Sequence, residues 1–151
     1  ILQVLKPNID EEIIKFLFDI TNGSPGLSID YDFEEILELF DKIIYLVLDN
    51  NPYSSSSNQI INFISNFDNE KLALYLSLVK FILITIIKIK MGINIRKSYL
   101  SKNILKIENV FDHLPIEVIQ RKLDYLINNE NDLFTFNLDK RIFMINFVAE
   151  K

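Results

Sequence analysis

The sequence has no cysteine, no tryptophan and one histidine, and only three glycines and four prolines among 151 residues. Without cysteine there is neither a disulfide framework nor a thiolate metal site, which fits a reducing compartment. A lone histidine, His113, cannot build a His-rich metal centre. No glutamate precedes it by three or four residues, as a zincin helix would require. His113 reads instead as a solvent-facing or capping residue beside Pro115. The few glycines form neither a G-x-x-x-x-G-K-[ST] phosphate loop nor a G-x-G-x-x-G turn. The neighbouring acids Glu11 and Glu12, and Glu34 and Glu35, diverge on a helix. They read as charges at helix starts and not as an acid–base couple. No nucleophile–base pair, metal cluster or cofactor loop remains, so catalysis is not expected within these residues.

What is present is apolar. Hydrophobic residues make up 49% of the chain, which excludes a disordered composition. A chain of this length buries roughly 70% of its unfolded surface and so can carry a core without staples. Nothing near Ile1 has the layout of a signal peptide, and the start reads as a cut inside a longer protein. The net charge of −5 is unevenly spread. Eleven acids and only Lys15 and Lys42 lie between Asn8 and Asn50, whereas Lys80 to Lys106 holds seven bases and no acid. This split is compatible with two partner surfaces, with one face touching nucleic acid, or with solvated faces that attract each other inside the fold.

The dominant period is helical. Phe33, Ile36, Leu37, Phe40, Ile43, Ile44 and Val47 recur at helical spacing, with Glu34, Glu35, Glu38, Asp41 and Lys42 between them and Asp32 placed as an N-cap. Asp10 to Thr21 repeats the pattern with Ile13, Ile14, Leu17 and Ile20. Asn51-Pro52, Tyr53 and the four serines behind them read as a polar loop, and Ile60, Ile61, Ile64 and Phe67 as a short helix. Lys71 to Met91 is apolar all round and at about 1.5 Å per residue is long enough to cross a bilayer. Lys80 near its middle would cost at least about 2.5–3.5 kcal/mol there. A central helix enclosed by others carries no such cost, and a membrane-associated protein is the alternative it must beat. Gly92 predicts a left-handed cap. Pro115 at a first helical position opens a helix with Ile116, Ile119, Leu123 and Leu126. Asn137 and Asp139 start a last helix with Leu138, Ile142, Ile145 and Val148 on one side. The expectation is an all-α fold: three or four antiparallel helices packed around Lys71 to Met91.

One corner has specific content. In Thr21-Asn22-Gly23-Ser24-Pro25-Gly26-Leu27-Ser28, Gly23 closes one helix, Ser24 caps the next and Pro25 takes its first position. An amphipathic helix, then Gly23-Ser24-Pro25-Gly26, then an acid-rich helix resembles the delta-prime family of bacterial DNA polymerase III clamp-loader subunits. Asn137-Leu138-Asp139 resembles the start of the last helix in that family's collar. The resemblance implies that residues 1–31 end an AAA+ lid and that residues 32–151 form a helical collar, the oligomerisation domain. ATP-binding loader subunits carry Gly-Ser-x-Arg at this corner. Gly26 stands at the arginine's place, which implies a subunit that does not sense ATP through its own lid. Leu27 departs from the arginine often found next in delta-prime, so no contact by that side chain is carried over.

The resemblance further implies a cytoplasmic, non-catalytic piece of a DNA-directed DNA polymerase holoenzyme, with no cofactor, no metal and no membrane. Its partners would be the other loader subunits (delta, gamma/tau), with the sliding clamp and primer–template DNA engaged only indirectly. Collars of this family pack into a ring through helix faces, and the residues expected at such an interface are Phe33, Phe40, Ile119, Leu123, Leu138 and Ile142. A helical nucleic-acid-binding or generic protein-interaction domain using the basic stretch Arg96 to Lys106 is the alternative reading.

Overall fold

The computed structural model describes Glu11, Ile14, Lys15, Phe18, residues 33–93 and residues 111–151. The helix expected over Asp10 to Thr21 is represented by those first four residues, all in helical conformation. The N-cap expected at Asp32 lies outside the described residues.

The described chain is all-α, as its periodicity demands. Helix α1 spans Phe33–Leu48, α2 Ser55–Ser65, α3 Asn69–Lys90, α4 Ile116–Thr135 and α5 Lys140–Ala149. They pack as a bundle. The closest partners are α3 with α4 and α2 with α5, while α5 also touches α4, and α1 leans on α2 and α3.

Helix α1 buries Ile36, Leu39, Phe40, Ile43, Ile44, Leu46 and Val47 and leaves Glu38, Asp41 and Tyr45 in water. The expected serine loop is corrected by the structure, because three of the four serines lie in α2. Ser54 is the N-cap, its Oγ accepting from the Ser57 amide at 3.1 Å. The Asp49 carboxylate accepts from the hydroxyls of Ser54 and, at 2.7 Å, Ser57, and from the Asn51 amide at 3.0 Å. Serine favours a helix start because its hydroxyl replaces a missing backbone partner. Asp49, by accepting from both hydroxyls, fixes the corner between α1 and α2.

Helix α3 is long and apolar enough to cross a membrane. In this fold it is a core helix: Leu72, Leu74, Tyr75, Leu76, Leu78, Val79, Ile82, Leu83 and Ile86 are all buried. Asp68 caps its start, Oδ1 accepting from the Lys71 amide at 2.7 Å. Lys80, the charge set in its middle, pairs with Glu130 of α4. Lys71 at its start pairs with Glu35 of α1. Both pairs are internal to the bundle, but neither joins the acid-rich stretch Asn8 to Asn50 to the basic stretch Lys80 to Lys106.

Gly92 ends α3 with φ +71°. Its amide donates to Ile89 O at 2.9 Å and the Ile93 amide to Lys88 O at 3.0 Å, the paired bonds of a Schellman cap. A Cβ at Gly92 would meet no atom within 4 Å. The cost of Gly92→Ala is therefore purely conformational. Urea unfolding is expected to show a loss of about 1–2 kcal/mol.

Pro115 serves as the N-cap of α4, with ψ 143°, and not as its first helical residue. The α4–α5 corner also departs from expectation. Asn137 does not start α5. It takes a left-handed φ of 48° and closes α4, with the Leu138 amide donating to Leu133 O at 3.1 Å. Asp139 then caps α5, Oδ1 accepting from the Ile142 amide at 2.9 Å.

Candidate interaction surface

Of the residues expected to meet another subunit, the structure places some inside and some outside. Phe40 and Ile119 are 1% and 0% exposed and belong to the core. Their assignment to an interface is corrected: the apolar face of α1 is used within the chain, as is the inner side of α4. Leu123 is half-buried against the same core. Phe33 opens α1, but its side chain lies outside the described residues, as does the whole corner Gly23, Ser24, Pro25, Gly26. Leu138 and Ile142 are 45% and 58% exposed.

These two sit in a short apolar cluster of sequence. Phe136, exposed to 68%, Leu138 and Ile142 occupy the turn between α4 and α5 and the first turn of α5. Of the expected apolar side of α5 (Leu138, Ile142, Ile145 and Val148), only Val148 is buried and Ile145 is half-buried against the core. Phe143, Met144 and Phe147 go inward beside them, and Leu138 and Ile142 are left in water. Polar ties hold α5 in this rotation. Lys140 Nζ donates to Phe67 O at 2.6 Å. Arg141 donates through Nε to Asn62 Oδ1 at 2.9 Å and through a terminal nitrogen to Asn58 Oδ1 at 3.1 Å, both on α2. Apolar side chains on a backbone fixed by a left-handed cap, an N-cap and three cross-helix bonds need no reordering to meet a partner, which lowers the entropic cost of docking.

At the far end of α5 lies the least expected group. Lys122, on α4, is fully buried. Its Nζ donates to Val148 O at 2.7 Å and Phe147 O at 3.2 Å, and lies 5.4 Å from the Phe147 ring centroid. These carbonyls are among the last four of α5, which have no partner within the helix. Burial lowers the pKa of Lys122 to about 8, against the attraction of Glu150 and Asp49, which favour the charged form. Burial also pushes Asp49 upward, but the bonds from Ser54, Ser57 and Asn51 and the charge of Lys122 hold it below its ordinary value. Tyr125, whose hydroxyl donates to Phe143 O at 3.2 Å, is raised by burial and by Glu150, with an opposing bond from Asn146. A signal for Lys122 exists in the sequence: it stands three residues after Ile119 and four before Leu126, on the buried stripe of α4.

An open depression of about 760 Å³ lies between the end of α3 and the start of α4, lined by Ile89, Lys90, Asp112, His113, Leu114, Pro115 and Ile116. His113 is exposed there, as its place beside Pro115 suggests. Among the described residues no three His, Cys, Asp or Glu side chains gather to hold a metal. The basic stretch Arg96 to Lys106 lies outside the described residues.

No protein-family model, curated protein or solved structure matches the chain.

Proposed function

We propose that this chain is a non-catalytic, helical subunit-packing domain of the clamp-loader collar kind, in a delta-prime-like, cytoplasmic subunit with no cofactor of its own. The observation that carries the reading is the set Phe136, Leu138 and Ile142, exposed on a corner whose backbone is already held. The all-helical bundle is compatible with a collar, and the corner Gly23 to Gly26 supports the choice of family through the sequence resemblance alone. In this reading delta and gamma/tau subunits cover the α4–α5 corner, and the clamp and primer–template DNA are reached only through them.

Ile142→Asp is the cleanest probe. The bond that Asp139 makes is to the backbone of residue 142, and an acid in the first turn of α5 suits the helix dipole. The variant should keep its helical circular dichroism while its co-purification with the other loader subunits weakens at least about tenfold, as for a central interface residue. Failure of the unmodified chain to bind any loader subunit would overturn the clamp-loader reading. Undiminished binding by the folded Ile142→Asp variant would remove the corner from the interface.

A further inference from the structure

We propose that copies of this chain associate head to tail, the basic, apolar face at the end of α3 in one copy docking on the acid-rimmed α4–α5 corner of the next. The inference rests on that corner being a docking surface, as proposed above, but not on the clamp-loader family.

Two faces of opposite sign carry it. At the end of α3, Ile84, Lys88 and Met91 follow one another at spacings that share one side of a helix. Ile84 and Met91 are 40% and 63% exposed. Lys88 between them is exposed as well, with its ammonium in no ion pair among the described residues. Lys80, one turn before Ile84, is already neutralised by Glu130, so Lys88 is the charge that this face offers. Around Phe136, Leu138 and Ile142 the rim is acidic. Asp132, one turn before Phe136, and Asp139, next to Leu138, are both exposed. Asp139 uses one oxygen to cap α5, and the Asp132 carboxylate has no partner among the described residues. The last turn of α4 holds no base, so Asp132 adds its charge to the negative end of the helix dipole. Lys140 and Arg141, the nearest bases in sequence, are turned to Phe67 O and to the asparagines of α2. A cation brought by a neighbour therefore relieves a repulsion that the described chain leaves in place.

The two faces do not meet within one chain. The end of α3 adjoins the start of α4, around the depression lined by Ile89 and Pro115, whereas the corner lies at the other end of α4. At about 1.5 Å per residue, the length of α4 keeps them roughly 30 Å apart. A contact between unlike faces of two copies is heterologous and leaves one face free at each end for a further copy. Each face offers only two or three large apolar side chains, so the contact is small and weak. Its charges then set partner and register more than strength.

The test is sedimentation of the purified full chain alone, over a concentration series at low and at high salt. The average mass should rise with concentration past that of a dimer. Association should weaken several-fold at high salt, which screens exposed charges. Lys88→Glu and Asp132→Lys each set like charges against one another across the contact, and each should weaken association at least about tenfold. Mixed in equal amounts, the two variants restore opposite charges, and association should return. Both positions are exposed, and circular dichroism checks that the variants are folded. Should Lys88→Glu not fold, Asp132→Lys, whose new charge suits its own helix end, decides alone. A chain that stays monomeric at low salt would overturn the proposal. So would association that stops at a dimer and ignores both reversals, or a mixture that associates no better than its components. None of these outcomes touches the clamp-loader reading, which stands or falls on binding of the other loader subunits.

Discussion

Phe40→Ala is expected to cost the isolated chain about 3–5 kcal/mol, and Ile119→Ala about 2–5 kcal/mol. Both side chains are completely enclosed, Phe40 at 1% and Ile119 at 0% exposure, so truncation removes their burial and leaves a cavity that close-packed neighbours only partly fill. A domain is stabilised by only about 5–15 kcal/mol in total, so either loss is a large fraction of the whole. Ile142→Ala, by contrast, should change the stability of the isolated chain by no more than about 0.5 kcal/mol, since its side chain is 58% exposed. Urea unfolding of the three variants separates the fold from the proposed interface. A Phe40→Ala chain that unfolds at the same urea concentration as its parent would contradict the placement of α1 in the core. A strongly destabilised Ile142→Ala chain would show that the α4–α5 corner serves the fold and not a partner.

That division was only partly legible in the sequence, and the reasons are physical. The helices of residues 33–48 and 69–90 declare themselves by a clean stripe or a long, mostly apolar run bounded by capping residues. Periodicity says which face of α1 is apolar, but not whether the chain itself or another subunit covers it, so Phe40 was equally compatible with both. In α5 the pattern fails for a different reason. Ile142, Phe143, Met144, Ile145, Phe147 and Val148 wrap nearly all the way round, and the choice of buried face falls to Lys140 and Arg141, whose partners Phe67, Asn58 and Asn62 are distant in sequence. The serines after Tyr53 look like a loop until Asp49 is seen to accept from Ser54 and Ser57. Lys122 is the instructive case, because charge usually marks the solvated face of a helix. A lysine on the apolar stripe is tolerated here only because the end of another helix presents free carbonyls to it.

Tyr75→Phe is expected to stabilise the chain at neutral pH and to protect it further in alkali. Tyr75 lies in the first half of α3 with its ring edge-on to Phe67, and its buried hydroxyl has no hydrogen-bond partner among the described residues. Removing an unpartnered hydroxyl while keeping the ring relieves a desolvation cost of about 1–3 kcal/mol. The pH dependence follows from the same burial, which raises the pKa of Tyr75 far above its ordinary 10.0. The unfolded chain releases this proton near pH 10 and the folded chain does not, so the unfolded state binds fewer protons above that value. Stability must then fall as pH rises past 10, by up to about 1.4 kcal/mol per pH unit from this group. Lys122 has the opposite sign. Its folded value of about 8 lies below its ordinary 10.5, so the unfolded chain holds more protons between them and stability rises with pH over that window. The two limbs meet near pH 10. Chemical denaturation from pH 7 to pH 12 should therefore give a maximum there in the unmodified chain. Tyr75→Phe should flatten the alkaline limb, apart from the smaller share of Tyr125, and leave the rise below pH 10 in place. An unchanged alkaline limb in the folded Phe variant, or a loss of stability at pH 7, would mean that the Tyr75 hydroxyl finds a partner in solution.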